Sequence, residues 1–196
     1  MLPAPPGTDE LADRFPRRLV RAGFPFWRIH DETLEPEWFC ADRHCRFDPP
    51  ADEAFGTCYV AGNPLGAFVE RFGRLRIIPR RLVEAKALSR LELPSDLAVA
   101  DATDRRIVGR YGLTAELWAG DDLSGSQAWA SALFQAGFAG IWYSCRHDTT
   151  GDLHALALFG KPGIQPTQIV SIGPSAPIRT ELVDAAATRF DILVAD

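Results

Sequence analysis

Residues 56–70 constrain the fold most, because they combine a short apolar strand, a tight turn and the start of an amphipathic helix. Tyr59 and Val60 favour the strand, and the turn Gly62-Asn63-Pro64 interrupts it. Asparagine is a good helix cap and proline is well suited to the first helical position. We therefore predict a strand, a turn and a helix in direct succession over these fifteen residues.

The helix of this unit carries one acid, Glu70, beside an apolar face. Leu65, Phe68 and Val69 recur at the spacing of one helical face, and Glu70 follows Val69 directly. A carboxylate shielded by apolar neighbours is a candidate functional group. The same position also suits an ordinary solvated helix acid, and the stretch alone leaves both interpretations open.

Other segments show the same mixture of strand and helix signals. Phe26, Arg28 and His30 would share one face of a strand over residues 24–30. The pattern of residues 81–91 fits either a helix or a strand. Predicted helices and strands elsewhere are a helix at 9–21, a strand at 97–101, a helix at 124–137 capped by Ser124 or Ser126, and a hairpin of strands at 141–145 and 153–159.

Length and charge exclude several classes of protein. The chain has 196 residues, enough for one domain with a substantial core. Its net charge of −5 argues against direct binding to nucleic acid, which favours a basic surface. Residues 1–7 lack the basic start and apolar run of a signal peptide, and no apolar run is long enough to span a membrane. We therefore expect a soluble, cytoplasmic protein.

The four cysteines do not form a complete metal-binding pattern. Cys40, His44 and Cys45 resemble half of a zinc site, but Cys58 and Cys145 stand alone. Free thiols in a reducing compartment explain this distribution better. We expect no bound metal, and we keep a metal-dependent regulator as an alternative.

Several segments, taken in order along the chain, resemble the RES-domain family. The segments are Phe26-Trp27-Arg28-Ile29, Arg46-Phe47-Asp48-Pro49, residues 56–61 with 67–70, residues 137–146, and an apolar strand ending at Leu158-Phe159. The resemblance covers residues 24–162. It leaves residues 1–23 as an N-terminal lead with a short helix, and residues 163–196 as a C-terminal extension that packs on the same domain or forms a homodimer surface.

The resemblance implies an α+β fold like that of ADP-ribosyltransferases, with mixed and antiparallel β-sheets around an NAD cleft and flanking helices. It also implies a toxin of a bacterial toxin–antitoxin pair that cleaves the nicotinamide–ribose bond of NAD, by hydrolysis or phosphorolysis. The implied partner is a helical, DNA-binding antitoxin that covers the cleft. Carried over by motif, the family's arginine, glutamate and serine are Arg28, Glu70 and Ser144, and Arg46 and Tyr59 match further pocket positions.

The chemistry of these side chains fits NAD. The guanidinium groups of Arg28 and Arg46 suit a diphosphate, and a carboxylate such as Glu70 can stabilise an oxocarbenium-like ribose. Tyr59 can stack on nicotinamide, and Ser144 can hydrogen-bond its amide or the ribose. A surface arginine, a core tyrosine and a capping serine are the plainer interpretations of these residues. Protein ADP-ribosylation and a non-catalytic module that binds NAD or a partner remain alternative functions.

Overall fold

The structure is a computed structural model that describes residues 1–51, 53 and 55–196. Its helices are α1 (Thr8–Arg14), α2 (Pro64–Phe72), α3 (Arg80–Glu84), α4 (Arg106–Tyr111), α5 (Glu116–Ala119), α6 (Leu123–Gln135) and α7 (Thr180–Phe190). Its strands are β1 (Arg17–Val20), β2 (Pro25–Asp31), β3 (Trp38–Phe39), β4 (Gly56–Ala61), β5 (Ile77–Pro79), β6 (Lys86–Glu92), β7 (Leu97–Asp101), β8 (Gly140–Ser144), β9 (His154–Gly160), β10 (Gly163–Ile164), β11 (Val170–Ser171), β12 (Ala176–Pro177) and β13 (Leu193–Ala195).

One large mixed sheet organises the chain, in the order β1-β7-β8-β9-β4-β2-β6-β11, with β12 also paired to β6. Its neighbouring strands are antiparallel except for the parallel pair β7 and β8. Two small sheets accompany it, one of β3 with β10 and one of β5 with β13. The predicted α+β class, with mixed and antiparallel sheets and flanking helices, is confirmed.

Both faces of the large sheet are covered, so its strands alternate between two apolar cores. On β8, Ile141 and Tyr143 belong to the larger core, whereas Trp142 belongs to the smaller one. The larger core also receives Phe68 from α2 and Trp129 from α6. This alternation decides which side chains of β8 face the helices, because successive residues of a strand point to opposite faces.

The unit at residues 56–70 folds as predicted. The side chain of Asn63 accepts a hydrogen bond from the backbone N–H of Gly66 at 2.7 Å, and Pro64 opens the helix. Phe68 and Val69 are fully buried. A Cβ on Gly66 would lie 3.2 Å from the Cβ of Ala61, so the glycine lets the helix start close against the strand that precedes it.

The hairpin of β8 and β9 and the strand at Leu97–Asp101 are also confirmed, and residues 81–91 divide into the end of α3 and most of β6. Two expectations were wrong. The helix predicted over 9–21 ends at Arg14, because Pro16 cannot continue it and residues 17–20 pair instead with β7. The N-terminal cap of α6 is Asp122, whose side chain accepts a hydrogen bond from the N–H of Ser124 at 2.9 Å, so neither Ser124 nor Ser126 caps the helix.

The C-terminal residues add strands to the main body. β11 and β12 lie along β6 at the end of the large sheet, and β13 pairs in parallel with β5. α7 packs against α2 through Ala186 and neighbouring apolar residues. Within the described residues, no helix is long and apolar enough to cross a membrane.

Candidate functional site

The candidate site is a cavity of about 440 Å³ between two strands of the large sheet. β2 and β4 share one registered pair, Trp27 opposite Ala61, whereas β4 and β9 are paired over six residues. The cavity is lined from β2 by residues 27–31 and from β4 by Thr57, Tyr59, Val60 and Ala61. The cleft therefore occupies the place where these two strands separate.

Glu70 enters this cavity from the last turn of α2, where it is half-buried. Its Oε2 accepts a hydrogen bond from the Tyr143 hydroxyl at 2.9 Å, and its Oε1 accepts one from the backbone N–H of Arg146 at 2.9 Å. Burial raises the pKa of Glu70, and the two donors act against that rise by favouring the carboxylate. The geometry holds one carboxylate in a fixed orientation at the cavity wall.

The cavity carries an excess of positive charge within a chain that is negative overall. Its lining includes three carboxylates, Asp31, Asp42 and Glu70. The arginines in its lining are Arg28, Arg46, Arg71, Arg74 and Arg146. Such a concentration of guanidinium groups favours an anionic ligand that carries phosphate groups.

Arg28 lies on β2 and reaches across the gap towards β4. Its Nη1 donates to the backbone carbonyls of Pro36 and Trp38, each at 2.7 Å, and contacts the Sγ of Cys58 at 2.8 Å. This side chain therefore ties the loop before β3 to the cleft while lining the cavity itself. Arg28 and Glu70, which are 42 positions apart in sequence, lie on the same cavity.

Arg46 also lines the cavity, and the structure adds a partner that the sequence did not indicate. Its Nη2 donates to the carbonyl of Gly120 at 2.6 Å, and its Nη1 lies 3.4 Å from the hydroxyl of Ser126. Ser126 is fully buried and donates to the carbonyl of Leu117 at 2.8 Å. The Ser126 hydroxyl thus helps to hold the Arg46 guanidinium in place. Ser126 is therefore a positioning residue, whereas its sequence position suggested only a helix cap.

Tyr59 lines the cavity with its ring, but its hydroxyl is used within the protein. The hydroxyl accepts from the N–H of Phe47 at 2.8 Å and donates to Asp48 at 3.1 Å. Asp48 is fully buried, and burial raises its pKa to about 6. The ring is available for stacking, whereas the hydroxyl is already engaged away from any ligand.

Ser144 is not brought into this site. It follows Tyr143 on β8 and pairs in register with His154 of β9. The pleat of the strand puts it on the face of Trp142, opposite to Tyr143, and the cavity lining includes Tyr143 but not Ser144. The cavity lining therefore gives no support to the contact predicted for Ser144, which stays a prediction.

Tyr143 and Arg146 are the contacts of Glu70 that sequence reasoning missed. A signal was present, because alternation from the buried Ile141 would have put Tyr143 on the inner face of β8. Arg146 acts on Glu70 through its backbone, which no residue-type motif indicates. His30, His44 and His147 also line the cavity, although we had assigned them no role.

The group of possible metal ligands in the structure differs from the one that the sequence suggested. Among the described residues, the group with metal-ligand spacing is Cys40, Asp42 and Asp48, whose ligand atoms lie within 4.8 Å of one another. His44 and Cys45 are not part of it.

Comparison with known proteins identifies a family and a similar solved structure. The model of a family described as the RES domain matches residues 25–179, which include residues we had assigned to the C-terminal extension. Among solved structures, a chain of the M. tuberculosis MbcT–MbcA toxin–antitoxin complex is similar, with a TM-score of 0.67 and 20% sequence identity over 89% of this chain and 93% of that chain. No curated protein matches the sequence.

Proposed function

Because the chain belongs to the RES-domain family, we propose that it is the toxin of a toxin–antitoxin pair and that it consumes NAD by cleaving the nicotinamide–ribose bond. The observation that carries the proposal is Glu70, held by Tyr143 and by the N–H of Arg146 in an arginine-rich cavity. The cavity volume lies within the range of about 300–1,000 Å³ found for small-molecule sites.

The proposed reaction breaks the bond between the ribose anomeric carbon and the nicotinamide ring nitrogen. The bonding electron pair goes to the ring, which leaves as neutral nicotinamide, and the ribose carbon acquires oxocarbenium character. Water or inorganic phosphate then attacks this carbon and loses a proton. The products are nicotinamide and either ADP-ribose or its 1-phosphate.

Glu70 is the proposed catalytic residue. Its carboxylate is oriented to hydrogen-bond the ribose hydroxyls and to stabilise positive charge as it develops on the sugar. Arg28 and Arg46 are proposed to bind the diphosphate, and the ring of Tyr59 is proposed to form one wall of the nicotinamide pocket. These roles suit the fixed charge of guanidinium and the flat apolar face of a tyrosine ring.

The proposed partner is a helical antitoxin that covers the cleft and also binds DNA. The likeness to a chain of a toxin–antitoxin complex supports a partner of this kind. Co-expression with the product of the adjacent upstream gene tests it, with growth of the bacterial host as the readout. Growth arrest by the chain alone, relieved by the neighbour, is the expected result; equal growth in both cases would contradict the toxin role.

Incubation of the purified protein with NAD, with and without inorganic phosphate, tests the chemistry. We expect nicotinamide release, with ADP-ribose or its 1-phosphate identifying the acceptor. Modification of added proteins instead would favour the alternative of a protein ADP-ribosyltransferase. Tight NAD binding by folded protein without release of nicotinamide under either condition would contradict the enzyme and favour a binding module.

A further inference from the structure

Arg146 makes two contacts at the Glu70 end of the cavity and leaves one buried nitrogen without a partner among the described residues. Its backbone N–H holds Glu70, and its Nη2 pairs with the carboxylate of Asp121 at 2.5 Å. Its Nη1 is buried and has no hydrogen-bond partner within the described part of the chain. A buried guanidinium nitrogen without an acceptor is unfavourable, so this side chain is prepared for an anion that the protein does not itself supply.

Asp121 belongs to a short connection, residues 120–122, which joins α5 to α6 and which we call the strap. Arg46 holds the carbonyl of Gly120 at 2.6 Å, and Arg146 holds the side chain of the next residue. Trp118 and Leu123 line the cavity on either side of the strap. Two arginines of the cavity are therefore bound to adjacent residues of one surface connection.

The contact between Arg146 and Asp121 is of a kind that a ligand can displace. The Asp121 side chain is 95% exposed, whereas that of Arg146 is 20% exposed. Exposed carboxylates contribute little to ion pairs, because water competes for them. A phosphate oxyanion inside the cavity can instead accept from both terminal nitrogens of the guanidinium, which gives a stronger, bidentate contact.

The surrounding charges also favour the replacement of Asp121 by a phosphate group. Arg46 and Arg74 line the cavity together with Arg146. Burial lowers the pKa of Arg46, and the charges of Arg146 and Arg74 lower it further. Arg74 is exposed and has no ion pair among the residues described. Asp121 and Glu70 together bring at most two negative charges to these three guanidinium groups, so an excess of positive charge remains for a diphosphate to balance.

We infer that Arg146 binds the diphosphate of the substrate. In the free protein, the Asp121 carboxylate pairs with the Arg146 guanidinium and so competes with the substrate for it. This inference rests on the proposed function for the identity of the ligand. Substrate binding then exchanges Asp121 for phosphate and frees the strap from one of its two arginine contacts. Asp121 lowers the affinity for ligands that contain phosphate, and Arg146 raises it.

Calorimetric titration with ADP-ribose tests the competition. Asp121→Asn keeps the size of the side chain and removes its charge, so we expect ADP-ribose to bind roughly two- to five-fold more tightly than to the wild type. Asp96→Asn is the matched control, because it removes an acid from another exposed pair, with Arg21, outside the cavity lining. We expect the control to leave the affinity unchanged.

Arg146→Met tests the binding role and leaves the backbone N–H on Glu70 in place. We expect affinity for ADP-ribose to fall by about ten-fold or more, and affinity for adenosine, which has no phosphate, to stay the same. For NAD turnover we expect KM to rise by a similar factor while kcat stays within about two-fold. Arg146→Lys, which keeps the charge but loses the bidentate geometry, should lie between the two.

Two results would overturn the inference: Asp121→Asn binding ADP-ribose no more tightly than the Asp96→Asn control does, or folded Arg146→Met or Arg146→Lys binding it as the wild type does. Failure of the proposed function has a different signature. In that case NAD is not consumed, while ADP-ribose affinity still follows the order Asp121→Asn, wild type, Arg146→Met. Normal NAD consumption with equal ADP-ribose affinities would remove the inference alone.

Discussion

Tyr143 and Ser144 are neighbours on β8, yet they lie in two different environments. Tyr143 is buried in the larger core and donates a hydrogen bond to Glu70 at the cavity wall. Ser144 lies on the opposite face, beside Trp142, whose ring stacks on His154 at 5.5 Å between ring centroids. Moving one residue along the strand takes the side chain from the face that lines the cleft to the opposite face of the sheet.

The two sides also differ in how their charges are balanced. On the Trp142 side, Arg18 is paired with Asp101 at 3.0 Å, and its guanidinium lies 5.0 Å from the Trp142 ring centroid. On the Tyr143 side, guanidinium groups outnumber carboxylates in the cavity lining. Internally balanced charges suit a structural role, whereas unbalanced charges indicate where a ligand binds. The comparison therefore supports the proposal that the Tyr143 side is the functional one.

The largest effect should come from Glu70→Gln. Glutamine keeps acceptor and donor atoms but cannot carry the negative charge that we propose to stabilise the ribose cation, so we expect NAD cleavage to fall by roughly 10²–10³-fold. Nicotinamide release measures the effect, with thermal unfolding as a check on the fold. Glu84→Gln, which changes an exposed acid at the end of α3, is the control. Normal turnover by Glu70→Gln would refute the catalytic assignment.

Tyr143→Phe should have the next largest effect. It removes a hydrogen bond to a charged acceptor, which typically contributes about 1.5–3 kcal/mol to stability. Because the Glu70 carboxylate is then less well oriented, we expect kcat/KM for NAD to fall by roughly ten-fold. Because the hydroxyl favours the ionised carboxylate, its loss should raise the pKa of Glu70 further and move the acid limb of the pH profile to higher pH.

Tyr111→Phe is the matched control for this substitution. The Tyr111 hydroxyl is buried without a hydrogen-bond partner among the described residues, so its removal should cost no stability and leave kinetics unchanged. An acid limb that stays in place in Tyr143→Phe would show that the hydroxyl does not tune Glu70.

A smaller effect, on stability, is expected from Asp48, which supports the Tyr143 side through Tyr59 and Phe47. The pKa of Asp48 in the folded protein, about 6, is above its unfolded value. The folded state therefore holds more protons than the unfolded state between about pH 4 and 6, and the free energy of unfolding should fall by about 1–3 kcal/mol across that window as pH rises.

Asp48→Asn removes this titration, so its stability should lack the fall between pH 4 and 6. Chemical denaturation gives the free energy of unfolding of both proteins across this range. Taking the difference between the two removes the contribution of the other carboxylates. Parallel pH profiles would show that Asp48 is not held largely protonated in the folded protein at pH 5.

The smallest effect is expected from Ser144→Ala. Because Ser144 lies outside the cavity lining, we expect kcat/KM for NAD to remain within about two-fold of the wild type. Ser126→Ala provides the contrast, since it removes the hydroxyl behind Arg46 and should weaken NAD binding. A loss of activity in Ser144→Ala that exceeds the loss in Ser126→Ala would reverse the comparison between the two sides of β8.

The parts of the fold that sequence predicted are those with local causes. The strand and helix around Gly62-Asn63-Pro64 and the hairpin of β8 and β9 depend on turn residues and on periodicity within a few positions. The end of α1 was missed because apolar spacing through Leu19 outweighed the proline at position 16. Leu19 is 52% exposed on an edge strand, whose formation depends on its pairing with β7.

The candidate site was likewise predicted only in part. Arg28, Arg46, Tyr59 and Glu70 line one cavity, as their predicted roles require. The contacts of Arg46 with Ser126 and of Arg146 with Asp121 join residues far apart in sequence, and no local pattern indicates them. For Ser144 the local segment was not sufficient. The residue type and its neighbours do not show which face of the sheet a side chain lies on until the register of the strand is known.

A crystal structure of Glu70→Gln with bound NAD tests the central claim most directly. The account predicts that the ribose next to nicotinamide lies within hydrogen-bond distance of residue 70, with the diphosphate on the cavity arginines and no contact to Ser144. NAD bound on the Trp142 and His154 side of β8, or in contact with Ser144, would contradict it.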